Sequence, residues 1–306
     1  MSEPDCVIVP KPLGFSFLVT ALGHGWHELA PFEFDEREQM LVRLEAPGDG
    51  GQLELRDADA GVAVNTASGA WSPAVKARVA EQVAEILAFD VDLAGFAEAV
   101  EGHDRYEWAV RVGFGRPLRA PTVWEDLAKT LLTTNTTWVV TRQMVARLCA
   151  LGEPSIGAKH AFPSPERIAS MSLEEFEASA RAGYRTAYLH ELATRIAKGE
   201  IDPESWRDPA IPSSDLFAQI RSLKGFGPYA AGAAMRLLAR HDYLAIDTAL
   251  RDVYRAQIAD GTAATDADIA TYYERFGPWK GLAAWADLMV VPLTAALRGV
   301  WLAVSG

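Results

Sequence analysis

The chain has 306 residues, of which 49% are hydrophobic and 23% are charged. This composition provides enough apolar material for a substantial core and excludes an intrinsically disordered protein. The formal net charge of −12 argues against a broad surface that binds nucleic acid by charge alone. Cys6 and Cys149 lie far apart without a CxxC pair, which argues against a disulfide framework and against a zinc or iron–sulfur site.

The sequence shows no export or membrane signal. No charged segment followed by an apolar one stands at the start of the chain, and no apolar run is long enough to span a bilayer. We therefore expect a cytoplasmic protein without membrane association. The length favours two structural lobes, because a single hydrophobic core seldom grows beyond about 250–300 residues.

The pattern of the chain changes near residue 71. Residues 1–71 alternate short β-prone stretches with turn sequences, which predicts a lobe built on an antiparallel sheet. Strands are expected at residues 15–21, 39–45, 52–56 and 61–65. From residue 72 to residue 306 the apolar residues recur with helical spacing and predict a helical lobe. The expected fold class is α+β, mostly α, with an N-terminal sheet attached to a helical bundle.

The helical lobe begins with a clear start signal. Ser72 and Pro73 supply an N-cap and a first helical residue, and apolar residues follow one face as far as Leu87. Short breaks that contain glycine or proline separate the later helices. These are predicted at residues 93–101, 123–132, 138–151, 165–170, 173–180, 186–197, 215–223, 228–239, 248–257 and 266–276.

A helical hairpin is the most informative local pattern. The helix at residues 215–223 is followed by the turn Lys224-Gly-Phe-Gly227, and Pro228 begins the next helix. The two glycines let the backbone turn sharply and approach a partner closely, while free amides at the next helix start can hold a DNA phosphate. An ordinary helix–helix connection is the alternative explanation, because such turns are common.

The hairpin together with Asp247 resembles the helix-hairpin-helix (HhH-GPD) superfamily of base-excision DNA glycosylases. The resemblance rests on Leu223-Lys-Gly-Phe-Gly-Pro-Tyr-Ala-Ala-Gly232 and on Ile246-Asp-Thr248, with Asp247 18 positions after Tyr229. Further segments between residues 122 and 297 are similar to 8-oxoguanine and bacterial 3-methyladenine glycosylases. The implied architecture is a helical glycosylase bundle behind the N-terminal sheet.

The resemblance implies that Asp247 is the catalytic carboxylate. Breaking a base from deoxyribose develops positive charge on the sugar, and a fixed carboxylate stabilises this charge and can orient or deprotonate water. A position directly before the helix that starts near Thr248 favours the ionised form through the helix dipole. An N-cap role is the ordinary alternative for this residue.

The resemblance also implies a set of DNA contacts. Tyr184 would be a wedge in the base stack, Asn135 a contact to the orphaned base, and Arg185 a supporting polar contact. Their ordinary alternatives are a half-buried surface aromatic, a helix cap and a solvated charge. The DNA-binding turn would consist of Leu223, Lys224, Gly225, Phe226 and Gly227.

Two further sites are predicted, an aromatic base pocket and, from the resemblance, a cation site at the hairpin. The base pocket would be lined by Tyr229, Trp138 and Trp279, although core packing is the commoner explanation for a tryptophan. The backbone carbonyls of Arg221, Leu223 and Phe226 would hold a structural Na⁺ or K⁺ ion. No other cofactor is implied.

The residue at position 229 departs from part of the family. Members that also nick the DNA strand place a lysine nucleophile where this chain has Tyr229, and tyrosine cannot form the required Schiff base. We therefore expect a monofunctional glycosylase without lyase activity. The expected partner is double-stranded DNA with a damaged base, bound by a monomer.

The substrate is open between several classes. An alkylated purine such as 3-methyladenine is favoured, because it already carries positive charge, leaves readily and suits an aromatic pocket. The alternatives are 8-oxoguanine or another oxidised or deaminated base. A non-catalytic lesion-binding module, which would keep the hairpin but not need Asp247, is a hypothesis of a different class.

Overall fold

The structure is a computed structural model, and it describes residues 6–66 and 70–297. Within these residues the chain forms an antiparallel sheet of five strands and fourteen α-helices, joined by loops and short 3₁₀ turns. The predicted fold class, α+β and mostly α, is confirmed. No helix in the described ranges is long and apolar enough to cross a membrane.

The sheet has the strand order β1-β5-β4-β3-β2, and every neighbouring pair is antiparallel. Three strands match the predicted ones, whereas β1 and β2 were not predicted. The strands are β1 (Cys6–Val9), β2 (Phe32–Asp35), β3 (Met40–Leu44), β4 (Gln52–Ala58) and β5 (Gly61–Thr66).

The predicted strand at residues 15–21 is wrong, because this segment contains helix α1 (Phe17–Leu22). Ser16 caps the helix by accepting a hydrogen bond from the backbone amide of Val19. Phe17, Thr20 and Ala21 are buried at the i, i+3 and i+4 spacing of a helical face. The β-prone composition was therefore overridden by a cap and by helical packing.

All predicted helices are present, with ends within three residues of the expected ones, and the short α4 is an addition. They are α2 (Pro73–Ile86), α3 (Ala94–Ala99), α4 (Glu107–Arg111), α5 (Val123–Thr133), α6 (Trp138–Cys149), α7 (Pro165–Ala169), α8 (Leu173–Ala180), α9 (Arg185–Ala197), α10 (Ser213–Arg221), α11 (Pro228–Leu237), α12 (Thr248–Gln257), α13 (Asp266–Tyr273) and α14 (Lys280–Ala296).

The hydrophobic residues form two clusters that do not follow the order of the chain. The first cluster runs from the sheet and α2 into α5, α9, α10 and α11. The second cluster joins α1 and α3 to α12, α13 and α14. The predicted division between residues 71 and 72 stays a prediction, and α2, which follows it, packs on β1.

A buried ionic cluster fastens the sheet to α5. Two nitrogens of the Arg43 guanidinium each donate to a carboxylate oxygen of Glu125 at 2.7 Å, and Glu45 and Lys129 complete the cluster. Burial acts to raise the pKa of Glu125, but Arg43 and Lys129 hold this pKa below its ordinary value. Buried charges require such pairing, so this cluster fixes how the sheet sits on α5.

Candidate active site and nucleic-acid interface

The predicted hairpin joins α10 to α11 through a rigid turn. Leu223 and Phe226 are buried at 5% and 3% exposure and anchor the turn in the first core. Gly225 has a φ of +87°, and a Cβ there would lie 2.5 Å from Cδ1 of Leu131. Glycine is thus required at this position by both its backbone conformation and the available space. The side chains at 223 and 226, which were predicted to bind DNA, therefore act as anchors of the turn.

The outer surface of the turn is mostly backbone. Within the described residues, the backbone amides of Gly225 and Tyr229 form no hydrogen bond, whereas the amide of Gly227 donates to the Gly225 carbonyl at 3.2 Å. A Cβ at Gly227 would have no neighbour closer than Arg221, at 4.0 Å. The exposed ammonium of Lys224 lies 2.5 Å from the Glu191 carboxylate, which offsets its charge. The turn consequently offers free amides and an uncrowded surface.

Tyr184 and Asn135 form a second exposed element. Tyr184 is 50% exposed, and its hydroxyl accepts a hydrogen bond from the Asn135 side-chain amide at 3.2 Å. Asn135 itself has a φ of +46°, which places it at a sharp break between α5 and α6. The two predicted DNA contacts therefore lie side by side.

Arg185 has a supporting role that differs from a surface contact. It is 7% exposed, its Nε donates to the Thr134 carbonyl at 3.0 Å, and its Nη2 donates to the Asn135 carbonyl at 3.1 Å. Its guanidinium carbon also lies 4.5 Å from the centroid of the Tyr184 ring. Arg185 thus supports both residues from the protein interior, by a hydrogen bond to Asn135 and by stacking on Tyr184. It is not the solvated charge of the alternative explanation.

Tyr188 connects this element to the hairpin. Its ring centroid lies 5.7 Å from that of Tyr184. On the other side, its Cδ2 atom lies 2.8 Å from the position that a Cβ on Gly225 would occupy. Asn135, Tyr184 and the hairpin therefore form one continuous surface.

Asp247 is the N-cap of α12. Its Oδ1 atom accepts a hydrogen bond from the Leu250 amide at 2.8 Å, and the residue is partly buried. Residues 243–246, which precede Asp247, form an irregular loop. Glycines on two helices let this loop pack closely against both. A Cβ on Gly232 of α11 would lie 2.3 Å from the Leu244 carbonyl oxygen. The backbone amide of Gly281 of α14 donates to the His241 carbonyl at 2.7 Å. The close packing of α11 and α14 thus fixes the position of Asp247.

Tyr229 shares this site with Asp247. Burial is the main cause that raises the pKa of the Tyr229 phenol, the charge of Asp247 raises it further, and a hydrogen bond with Thr133 lowers it. The phenol is therefore neutral at physiological pH, and it lies within electrostatic reach of the carboxylate. Tyr229 and Asp247, the two residues on which the prediction of chemistry rested, are thus close enough to interact electrostatically.

Arg236 and Trp285 belong to the same site, although neither was among the predicted site residues. Arg236 follows Tyr229 by seven positions on α11, which places both on one helix face about 10 Å apart along the axis. Its guanidinium carbon lies 3.8 Å from the centroid of the Trp285 ring. Burial lowers the pKa of Arg236 to about 10, against the opposing effects of Tyr229 and Asp247. A single charged residue in an otherwise apolar helix was the signal in the sequence.

In the described part of the chain, neither Trp138 nor Trp279 makes a ring contact with Tyr229. Trp138 donates from Nε1 to the Glu28 carboxylate at 3.0 Å, next to a separate groove of about 1180 Å³. Trp279 stacks on His241 with centroids 5.3 Å apart and packs against Phe96. Their place in the base pocket stays a prediction, with Trp279 stacked on a histidine on which the charge of Arg236 acts.

The hairpin carbonyls fit a monovalent cation in part. The Leu223 carbonyl accepts a hydrogen bond from the Phe226 amide at 3.2 Å, whereas no amide in residues 6–66 and 70–297 bonds to the Arg221 or Phe226 carbonyls. Carbonyl oxygens with free lone pairs are suitable ligands for hard cations. By contrast, the described residues contain no group of three or more His, Cys, Asp or Glu side chains that could hold a metal ion.

The architecture and the hairpin are those of a DNA repair protein. A family model described as the HhH-GPD superfamily base excision DNA repair protein matches residues 128–282, just over half of the chain. The chain therefore belongs to the HhH-GPD superfamily of base excision DNA repair proteins. No curated protein sequence is significantly similar to it.

Solved structures share the fold over almost the whole chain. The 3-methyladenine DNA-glycosylase of Archaeoglobus fulgidus has a TM-score of 0.70 at 16% identity, over 93% of this chain and 97% of its own. The 8-oxoguanine glycosylase/lyase of Clostridium acetobutylicum, in complex with double-stranded DNA containing cytosine opposite 8-oxoguanine, has a TM-score of 0.67 at 15% identity, over 89% and 93%. A structure of MBOgg1 with a low-affinity DNA ligand has a TM-score of 0.72 at 15% identity, over 94% and 96%. At these identities the likeness concerns the fold.

Proposed function

We propose that this protein is a monofunctional DNA glycosylase that hydrolyses the bond between a damaged base and its deoxyribose. The observation that carries the proposal is the carboxylate of Asp247, fixed as the N-cap of α12 and within electrostatic reach of the half-buried Tyr229 that follows the hairpin. The Leu250 amide holds Asp247 through Oδ1, and no donor within residues 6–66 and 70–297 bonds to Oδ2, which can therefore face a substrate. The fold fixes this carboxylate before any substrate arrives, which is what electrostatic catalysis requires.

The reaction follows from this geometry. The carboxylate of Asp247 stabilises the positive charge that develops on the sugar as the base departs, and it orients the water that adds to C1′. Tyr229 supplies a neutral aromatic wall and a phenol in place of an amine. A phenol forms no Schiff base, so the abasic product is released with both DNA strands intact.

The exposed surface is suited to binding double-stranded DNA that contains a damaged base. The free amides of Gly225 and Tyr229 can hold phosphate oxygens, and Tyr184 stands beside Asn135 where a base pair would be opened. A Na⁺ or K⁺ ion on the carbonyls of Arg221, Leu223 and Phe226 would add positive charge near a bound phosphate. The monomeric state and the cytoplasmic location remain predictions.

Replacement of Asp247 by asparagine tests the enzymatic function against the non-catalytic alternative. Asparagine is as good an N-cap as aspartate, so α12 keeps its hydrogen bond to the Leu250 amide and the fold is preserved. In single-turnover assays on duplexes with single lesions, we expect base release to fall at least about 100-fold. Lesion binding should be retained. Equal activity of Asp247→Asn and the parent, or no release by the parent from any lesion, would refute the proposal.

The positive charge of Arg236 bears on the substrate class. The alkylated purine favoured by the sequence rests on an aromatic, electron-rich pocket, but the face of Trp285 is covered by the Arg236 guanidinium. A cation at this position repels a cationic base. This observation favours the second candidate, an uncharged oxidised or deaminated base, over 3-methyladenine.

A further inference from the structure

Arg236 differs from most buried arginines of this protein in having no polar partner. Arg43 pairs with carboxylates and Arg185 with backbone carbonyls. Arg236 is 8% exposed, yet within the described residues its guanidinium forms no hydrogen bond or ion pair, and its Nε is buried without a partner. Its contact is the face of Trp285. A buried cation without a partner costs free energy, so a function for its charge must be sought.

The two histidines near Arg236 do not compensate its charge. His24 lies beside Trp285, with ring centroids 5.4 Å apart, and its Nδ1 is buried without a partner. Both ring nitrogens of His241 are likewise without partners. Burial lowers the pKa of His24 and of His241, the latter to about 3, and Arg236 lowers both further. The two imidazoles therefore stay neutral, and their nitrogens add polar atoms to a site whose positive charge is Arg236.

The position of Arg236 connects this charge to the reaction. It shares one face of α11 with Tyr229, and its partner Trp285 is held in place by an Nε1 hydrogen bond to the Gly23 carbonyl at 3.0 Å. Asp247 is close enough to interact with Arg236 electrostatically. The guanidinium thus lies within electrostatic reach of the carboxylate on which the proposed reaction depends.

We propose that Arg236 is a specificity-determining residue whose guanidinium donates hydrogen bonds to the departing base, and that it selects bases that leave as anions. This inference rests on the proposed glycosylase function. The substrate class is an uncharged base with carbonyl oxygens, such as a deaminated or oxidised purine.

The charge on the leaving base explains the selection. When the C1′–N bond of an uncharged base breaks, both electrons leave with the base nitrogen, the base becomes an anion, and the sugar becomes a cation. Water then adds to C1′ and releases a proton, and the base anion takes up a proton. Asp247 stabilises the sugar cation and Arg236 the base anion, so both developing charges meet a fixed opposite charge.

A cationic base gives the opposite result. A base methylated at a ring nitrogen carries positive charge in the substrate and leaves as a neutral molecule. The guanidinium then repels the substrate and has no negative charge to stabilise in the transition state. Arg236 therefore favours uncharged substrates twice, once in binding and once in the chemical step.

The test compares two substrate classes with the full-length protein. Single-turnover base release is measured on duplexes carrying hypoxanthine or 8-oxoguanine, and on methylated duplex DNA from which 3-methyladenine and 7-methylguanine are quantified. For Arg236→Gln we expect release of the uncharged bases to fall about 100-fold, as for loss of one preorganised donor. Release of the methylated bases should stay the same or increase. Arg236→Lys, which keeps the charge, should restore part of the activity on uncharged bases.

Arg116→Gln is a matched control. Arg116 is also 8% exposed with a buried, unpartnered Nε, but the charges that act on it are Asp92 and Asp90. Arg116→Gln should change the rate of base release from both substrate classes little, and thermal unfolding should show that every variant is folded. An equal loss on both classes in Arg236→Gln would mean a structural role, and a parent that releases only methylated bases would refute the selection while leaving the glycosylase function intact. A parent inactive on every lesion would refute the glycosylase function itself.

Discussion

Gly227 allows the hairpin surface to be tested without damage to the fold. Its φ of −69° and ψ of −179° are accessible to any residue before a proline, and an added Cβ would have no neighbour closer than 4.0 Å. Gly227→Ala restricts the unfolded chain, which stabilises the protein by about 0.4–1 kcal/mol, and it weakens the N-cap of α11 by a similar amount. We therefore expect little change in the unfolding temperature.

The same methyl group should weaken DNA binding, because it occupies the space through which a phosphate approaches the turn. Loss of one hydrogen bond to a charged group costs about 1.5–3 kcal/mol, which corresponds to roughly 10- to 150-fold in affinity. Fluorescence anisotropy with an abasic-site duplex, at one fixed salt concentration, measures the effect. Gly48→Ala is the control, since Gly48 is exposed with no neighbour within 4 Å of its added Cβ. Unchanged affinity in Gly227→Ala would show that the hairpin does not contact DNA.

Two further predictions concern the site and the core. Tyr229→Lys places an amine near Asp247, where burial lowers the pKa of the amine. We therefore expect a Schiff base that borohydride traps, and strand cleavage without alkali. Base release without a trapped adduct would contradict this prediction. Burial raises the pKa of Asp126 to about 7, so its native state binds the proton more tightly than the unfolded chain, and stability falls as pH rises from about 4 to 7. In Asp126→Asn, Oδ1 can still accept from the Trp26 side chain and the Ala120 amide, but the side chain no longer titrates. Urea unfolding at about pH 5 and pH 8 should therefore show a smaller difference in unfolding free energy for the variant than for the parent. An equal difference in both proteins would contradict this prediction.

The helices could be predicted because their start signals are local. Ser172 and Glu175 form a capping box at α8, and Ser164 caps α7 directly before Pro165. Such hydrogen bonds join residues three positions apart, so a short window of sequence contains both partners. The hairpin was predictable for the same reason, since its glycines, its proline and both of its helices are consecutive.

Long-range pairing explains what the sequence did not reveal. Arg43 stands in a strand whose five residues are all buried, and its partner Glu125 is 82 positions away. Arg185 carries the charge expected of a surface contact, but the carbonyls that bury it belong to the Thr134 and Asn135 segment. No local periodicity shows such partners, because they come together only when the helices pack.

The same limit applies to the composition of the site. Tyr229 and Asp247 were found because their spacing is fixed along the chain, whereas Trp285, on which Arg236 stacks, lies in a helix 38 positions beyond Asp247. The two tryptophans chosen from the sequence for the base pocket, Trp138 and Trp279, contact Glu28 and His241. An aromatic residue has the same local signature in a pocket and in a core.

The acidic composition and the DNA partner are compatible because of where the positive charges lie. Several cations lie inside the protein or are already paired: Arg43 and Arg119 bind carboxylates, and Lys224 at the hairpin is offset by Glu191. The proposed contacts to DNA are instead backbone amides, a tyrosine and an asparagine, which carry no net charge. Binding of this kind recognises the shape of a distorted duplex more than its charge. The unpaired positive charge of Arg236 is held where it can act on the departing base.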